Sequence, residues 1–405
     1  MTASDRYELE IEAVLRERTG RQCVYVPSGR LGIYIALVEW LSPGDRILMS
    51  PVDDDVVLFT VLAAGMRPVM APLSPQDGNI DPDAVPESTW ASVRAVLTTN
   101  LYGLPDRLSE LRRRCDQLGT VLVEDAAHAL HTDVAGGPVG SFGEVSVFSL
   151  SKHAAATGGV VALADRGRRD EVVRLRDTLV SERPVGLRTS DVLRPRTLAL
   201  LERLGLRAQL RWARRALGAE ERRMHRMPLR PERLRSAVAA APAVDLFDAW
   251  LRVDKHDYRV AQRQKALART VEGLRSAAQD REARVEGVSR LRELAATAPG
   301  ARAGEAQALF RVPLLVEDRD AAGAALEAAG HPLHYVYDPP LDDYAGSDFV
   351  DPSPTPDAAR WWARHVLPVD PLLAETALAA VEAAAVAVRP AAAPRRAQTG
   401  AAAPP

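Results

Sequence analysis

Val121-Leu-Val-Glu-Asp-Ala-Ala-His128 reads as an apolar strand that closes on an acid, and Ser149-Leu-Ser-Lys152 places a lysine among small hydroxyls 27 residues beyond Asp125. Working outward, short apolar runs alternate with amphipathic segments from about residue 20 to 165. That alternation predicts an α/β fold, a mostly parallel sheet covered by helices. Leu31, Tyr34, Ile35, Val38 and Leu41 recur at helical spacing after Ser28-Gly29. Arg46-Ile-Leu-Met, Pro68-Val-Met-Ala and Val93-Arg-Ala-Val-Leu read as strands, with a helix from Val56 to Ala64 and another opened by Pro105-Asp106. Val145-Ser-Val-Phe and Val160-Val-Ala-Leu bracket the lysine as two further strands. An acid that ends a strand in such a sheet stands at its carboxyl edge, where α/β folds bind ligands.

Residues 166–240 turn arginine-rich and helical, with Arg203, Arg207, Arg211 and Arg215 at i, i+4 spacing. Like charges so placed repel, which a solvated helix face or a partner anion would relieve. A long helix is expected from about Val244 to Leu274, with Phe247, Trp250, Leu251, Tyr258 and Ala261 facing inward. Ala308-Leu-Phe-Arg-Val-Pro-Leu-Leu-Val then reads as a strand, Asp318 to Ala329 as a helix, and 357–388 as two helices interrupted at Pro368 and Pro371. The expected organisation is a large domain over 1–243, a long helix with a smaller C-terminal α/β domain over 244–389, and a disordered tail over 390–405, which is poor in large apolar groups.

The 405 residues, 47% hydrophobic and 26% charged with a net charge of −2, describe an ordinary soluble protein. That balance argues against nucleic-acid or membrane-surface binding. Cys23 and Cys115 are the two cysteines, without zinc-like spacing, so neither a disulfide framework nor a metal site is expected. A reducing cytoplasm fits this usage. The N-terminus lacks a secretory pattern and no run of about twenty apolar residues is present.

Lysine is scarce: Lys152, Lys255 and Lys265 are the three in the chain. Arginine stays protonated and cannot form an imine. A lysine near a buried acid is what pyridoxal 5′-phosphate (PLP) chemistry needs, because the amine bonds the cofactor aldehyde and later shuttles a proton, while the acid keeps the pyridine nitrogen protonated. Lys152 and Asp125 are the candidates. His128 is placed to donate to the cofactor's phenolic oxygen, with a purely structural histidine as the other reading. Ser149, Ser151 and Thr157-Gly158-Gly159 offer hydroxyls and amides for a phosphate ester. Ser28-Gly29 opens an amphipathic helix whose N-terminal amides favour an anion, although helix capping alone would also explain it. Arg30 adds a positive charge for phosphate or a substrate carboxylate, or else pairs with a neighbouring acid.

The chain resembles the DegT/DnrJ/EryC1/StrS aminotransferases of fold type I over roughly residues 20–388. The resemblance lies in Pro27-Ser-Gly, Ser42-Pro-Gly-Asp-Arg-Ile-Leu-Met-Ser-Pro51, Ala64-Gly-Met-Arg-Pro-Val69 and Asn79-Ile-Asp-Pro82. It continues in Asn100-Leu-Tyr-Gly-Leu-Pro105, Val123-Glu-Asp-Ala-Ala-His-Ala129, Val139-Gly-Ser-Phe-Gly143 and Val147-Phe-Ser149, with fainter echoes in Gly330-His-Pro-Leu-His-Tyr-Val-Tyr-Asp-Pro-Pro340 and Val366-Leu-Pro-Val-Asp370. It implies a fold type I PLP-dependent transferase in which Lys152 is the Schiff-base lysine, Asp125 the pyridinium partner and His128 the phenolate neighbour. Ser28, Gly29 and Ser149 become phosphate ligands. It further implies a homodimer with interface sites that moves an amino group from glutamate or glutamine to a keto sugar, often nucleotide-linked, or to a keto cyclitol.

The chain also departs from that pattern. Arg30 stands where the family has threonine, and Val52-Asp53-Asp54-Asp55 replaces a threonine and a stacking aromatic ring. Asp54 and Asp55 are therefore candidates for contact with a cationic or hydroxyl-rich substrate, and His334, Tyr335 and Tyr337 for the acceptor pocket, with small-domain packing as the alternative for those three. Lys152 follows Ser149 more closely than is usual in the family. His225-Arg-Met-Pro228 leaves Arg226 as the match for an arginine that reaches across the dimer. Retention of Lys152 disfavours the family's dehydrase branch, which carries histidine there. Two rivals follow from the acidic segment: a different PLP reaction on an amino-acid-like substrate, and a non-catalytic PLP-fold binding or regulatory protein.

Overall fold

The computed structural model describes residues 3–154, 156–180, 226–253, 257–331, 333–383 and 389–392. Helix α1 (Ala3–Thr19) leads into seven strands that form one sheet: β1 (Gln22–Val26), β2 (Arg46–Met49), β3 (Arg67–Met70), β4 (Ala95–Thr98), β5 (Val121–Asp125), β8 (Val145–Ser149) and β9 (Gly159–Leu163). A two-residue hairpin, β6 (Asp133–Val134) with β7 (Gly137–Pro138), lies between β5 and β8. The order is β1-β9-β8-β5-β4-β2-β3, with β9 antiparallel to both neighbours and every other pairing parallel. The carboxyl ends of six strands and the start of β9 thus share one edge.

Both faces of the sheet are covered, so its strands are apolar throughout rather than alternating with polar residues. Val24, Val26, Ile47, Met49, Leu97, Val123 and Val147 pack with helices α2 (Gly29–Trp40) and α3 (Asp55–Ala63). Their neighbours Cys23, Tyr25, Phe148 and Val160 face α1 and the helix Gln264–Leu291. Leu48, Val96 and Leu122 pack with Trp90, Leu111 and Cys115.

The long helix begins later than its sequence suggests. Val244–Phe247 is a 3-10 turn, Asp248–Leu251 a separate short helix, and the 28-residue helix runs Gln264–Leu291. Phe247, Trp250, Leu251 and Tyr258 are buried as expected, but against α3, with Trp250 stacked on Phe59 at 5.4 Å. The Tyr258 hydroxyl donates to Asp248 Oδ1 at 2.8 Å, which folds the segment back on itself where helical periodicity had implied continuity. Val244, Phe247, Trp250, Leu251 and Tyr258 therefore belong with the core around α2 and α3. The helix proper spans about 42 Å at 1.5 Å per residue and bridges two cores, with Leu267, Val271 and Leu274 at one end and Val288 and Leu291 at the other.

The smaller unit pairs β10 (Val312–Leu315) antiparallel with β11 (Val366–Val369) and covers them with helices Arg319–Ala328, Asp357–His365 and Ala374–Ala383. The expected tail starts too early at 390, because Ala391 N donates to Leu315 O at 2.9 Å. Residues 393–405 and the Arg203–Arg215 series lie outside the described residues. Among the described residues no helix is long and apolar enough to cross a membrane.

Candidate active site

Strand ends at the carboxyl edge bring the sequence candidates together. Ser28 follows β1 and caps α2, its hydroxyl accepting from Leu31 N at 3.2 Å and donating to Tyr258 O at 3.0 Å. Ser28 bridges Gly158 across the sheet edge, so the α2 N-terminus meets the start of β9. A Cβ on Gly29 would come within 3.1 Å of Ser149 Cβ, and one on Gly159 within 2.8 Å of Gly29 N. Glycine thus lets the backbones of α2, β8 and β9 meet closely at this edge, beside the N-terminal amides of α2. Ser149 Oγ and Ser151 Oγ lie 3.1 Å apart on the exposed side of this edge. Arg30 turns away: its guanidinium donates to Leu251 O and sits 5.8 Å from the Tyr258 ring centroid.

Gly159→Ala tests this convergence. Its Cβ would meet only backbone, Phe148 O at 2.7 Å and Gly29 N at 2.8 Å, so a loss of about 1–3 kcal/mol in denaturant unfolding is expected. Unchanged stability would mean that the strands are not so closely apposed.

Asp125 ends β5 buried at 5% exposure, with Oδ1 accepting from Ala127 N at 2.8 Å. Burial pushes its pKa up to about 7, against the backbone hydrogen bond and the opposing pull of Lys152. No described residue forms an ion pair with Asp125. Lys152 lies on the short helix Leu150–His153, its Nζ 4.2 Å from the Tyr335 ring centroid. The two residues lie within electrostatic reach of one another.

His128 is buried, and its Nδ1 accepts from Tyr102 N at 3.3 Å. Burial drives its pKa well down, with Lys152 adding to the effect, so the imidazole is neutral. With Nδ1 an acceptor, Nε2 carries the proton. The ring belongs to a near-parallel pile, 6.2 Å from Tyr102 and 4.9 Å from Phe310, and Tyr337 extends it 6.2 Å beyond Tyr102.

The acids of residues 53–55 each accept hydrogen bonds within the chain. Asp54 caps α3 by accepting from Val56 N at 3.0 Å, and Asp55 Oδ2 accepts from Met227 N at 2.7 Å. Asp53 is buried, accepting from Thr99 Oγ1 at 3.1 Å and Asp54 N at 2.6 Å. Burial raises its pKa well above the carboxylate range and the Asp125 charge adds to it, so these two carboxyls resist ionising together. Arg226 is also tied to the Asp53 segment. Within its own chain it donates to Asp53 O at 2.5 Å, Pro339 O at 2.9 Å and Tyr337 O at 3.3 Å.

Of the three acceptor-pocket candidates, Tyr335 faces Lys152. Tyr337 is buried in the aromatic pile, and His334 borders Tyr335 at 6.1 Å. Sequence reading gave no role to Asn100, Tyr102, Phe310 or Arg311. Asn100 sits in a left-handed turn and donates from Nδ2 to Asp125 O at 2.9 Å. Its motif Asn100-Leu-Tyr-Gly was the one signal for it. Among the described residues no His, Cys, Asp and Glu group is arranged to hold a metal.

A pH effect follows from Asp125. A carboxyl raised from about 4 in the unfolded chain to about 7 when folded stabilises at low pH, and that contribution is lost as pH rises across this window. Cofactor-free wild-type protein is expected to lose melting temperature from pH 4 to 7 more steeply than Asp125→Asn. Parallel profiles would contradict the burial assigned to this group.

Residues 2–186 match the DegT/DnrJ/EryC1/StrS aminotransferase family. The L-glutamine:2-deoxy-scyllo-inosose aminotransferase of Streptomyces kanamyceticus is 31% identical over 34% of this chain and 32% of its own length. GDP-perosamine synthase of Vibrio cholerae is 28% identical over 38% of this chain and 42% of its own. The chain thus spans about a third to two fifths of these curated relatives. Among solved structures, an aminotransferase from Psychrobacter cryohalolentis superposes with TM-score 0.65 at 14% identity, covering 95% of this chain and 92% of that one. Sugar aminotransferase CalS13 from Micromonospora echinospora gives 0.62 at 20% identity with the same coverage. The fold is therefore that of the fold type I aminotransferases, in both units.

Proposed function

With residues 2–186 belonging to the DegT/DnrJ/EryC1/StrS aminotransferase family, we propose that the whole chain is a PLP-dependent aminotransferase. Its amino donor is an amino acid, glutamate or glutamine, and its acceptor a keto sugar or keto cyclitol of a biosynthetic pathway. The same reading takes it as a cytoplasmic homodimer acting on small molecules. The observation that carries it is Lys152 and Asp125 in mutual electrostatic reach at the sheet edge where the α2 N-terminus meets Ser149 and the start of β9.

The residues present fit the cofactor. A buried carboxyl without a paired cation among the described residues suits a protonated ring nitrogen, and the α2 N-terminus beside the Ser149 and Ser151 hydroxyls suits a phosphate ester. The face once expected to carry a stacking ring carries the acids 53–55 instead. When bound, PLP supplies an aldehyde for amines and a ring that withdraws electrons. Lys152 would hold that aldehyde carbon covalently and, once displaced by the donor amine, would take the proton of the donor's α-carbon at Nζ and deliver it to the former aldehyde carbon, carrying it the opposite way to the acceptor carbon in the second half-reaction. Asp125 would hold the proton on the ring nitrogen. The Nε2–H of His128 is the donor for the phenolic oxygen. Gly29 N and the α2 terminus, with Ser149 and Ser151, bind phosphate, while the Ser28 hydroxyl shapes that terminus.

The test is spectroscopic. Purified protein with PLP should turn yellow, lose that band on addition of glutamate or glutamine, and recover it with a keto sugar or keto cyclitol. A protein that refuses PLP would return the non-catalytic reading. A band unmoved by either donor would leave a different PLP reaction.

A further inference from the structure

The residue that follows Lys152 is a buried histidine. His153 is 7% exposed, and its Nε2 lies 3.0 Å from the carbonyl oxygen of His128. A carbonyl oxygen only accepts, so Nε2 carries the proton and donates it. Burial pushes the pKa of this imidazole well down, with His131 and Arg284 adding to the effect, so the ring is neutral. Its Nδ1 has no hydrogen-bond partner among the described residues. One hydrogen bond thus orients the ring, and it reaches back 25 positions to the histidine assigned to the cofactor's phenolic oxygen.

Both ends of that bond are confined. The His128 carbonyl is enclosed, since a Cβ on Gly103 would come within 2.8 Å of its oxygen. Among the described residues His153 is its donor, and a buried carbonyl left without one is unfavourable. The His153 ring sits beside His131 and Phe310, each centroid 5.2 Å away. The turn Leu150–His153 is also backed by the helix Gln264–Leu291. There a Cβ on Gly273 would come within 2.3 Å of Ala154 O, and Thr270 Oγ1 donates to Thr157 O at 3.1 Å. The two side chains so braced meet one ring: Lys152 Nζ lies 4.2 Å and the His128 imidazole 5.7 Å from the centroid of Tyr335.

We propose that His153 is a positioning residue, which holds the amine of Lys152 and the Nε2–H of His128 at the separation that the lysine imine and the neighbouring phenolic oxygen require. This rests on the aminotransferase reading. The consequence is electronic. A His128 donor in place draws charge from the phenolic oxygen, whereas a displaced donor leaves that charge to hold the proton of the imine nitrogen more tightly. Glutamine at position 153 keeps an N–H donor at the reach of Nε2, and leucine keeps the bulk without the donor.

Titrating the absorption band of the PLP-loaded full chain against pH reads the imine, and nitrogen NMR spectra of the histidine rings in the cofactor-free chain read His128. His153→Leu is expected to raise the imine pKa by about one unit, a factor of about 10 in proton affinity, and to shift the His128 signals. His153→Gln is expected to restore both. If His153→Leu fails to fold, His153→Asn, whose amide ends one carbon short of the carbonyl, replaces it with the same expectation. A purely structural histidine would lower the melting temperature and leave the imine pKa and the His128 signals at their wild-type values, which overturns the proposal. So does a glutamine variant that shifts as far as the leucine one. His128 signals that respond to His153→Leu in a chain that never forms the imine band uphold the brace and refute the aminotransferase.

Discussion

Lys152→Ala is expected to give a folded protein that still takes up PLP but lacks the absorption band of the lysine imine and transaminates about 10⁴-fold more slowly or not at all. The side chain is half-buried, and its described contact is the face of Tyr335 at 4.2 Å, so the fold loses little when it is removed. Among the described residues one other lysine is present, Lys265. Lys265 is exposed near the start of the helix Gln264–Leu291, and the arginines that crowd this chain stay protonated at any working pH. The measurement is a pair of assays on one preparation: absorbance with PLP, and amino transfer from glutamate and glutamine. Retention of the imine band in the variant would show that a different residue holds the cofactor.

Asp125→Asn should cost about 10³-fold in transamination while leaving PLP affinity and melting temperature at pH 7 much less affected. The reason is geometric. The described hydrogen bond of the carboxyl is to Ala127 N at 2.8 Å, and an asparagine oxygen accepts that bond equally well. What the amide cannot do is stabilise a proton on the ring nitrogen through its charge. Asp125→Glu keeps the charge and should recover part of the rate. If Asp125→Asn transaminated at the wild-type rate, the ring would draw its proton from elsewhere, and Asp53, the second buried carboxyl in the cluster, would be the group to replace next.

The sheet edge was legible because it is written locally. Apolar runs of four or five residues, each closing on a loop, fix where β4, β5 and β8 end, and those ends place Asn100, Asp125 and Ser149 on one line. Lys152 stood out through scarcity. The roof of the site was not legible, because its contacts join distant parts of the chain: the Tyr102 hydroxyl meets the Tyr335 carbonyl across 233 positions. Phe310 and Arg311 read only as the start of a strand, since nothing in that stretch reports the Lys152 site it approaches. Asp54 and Asp55 have a local role that a substrate reading passes over. An acid before an apolar helix is first a capping residue, and Asp54 acts as one on Val56 N. The helix expected from Val244 shows the limit of periodicity, because buried aromatics at helical spacing also serve a folded-back segment when a side chain such as Tyr258 fastens it.

Reducing the PLP-loaded protein with borohydride and mapping its peptides by mass spectrometry tests the central claim most directly, because it reports which amine holds the cofactor. The account predicts one pyridoxyl group, carried by Lys152. Modification at Lys255 or Lys265, or none at all, would contradict it.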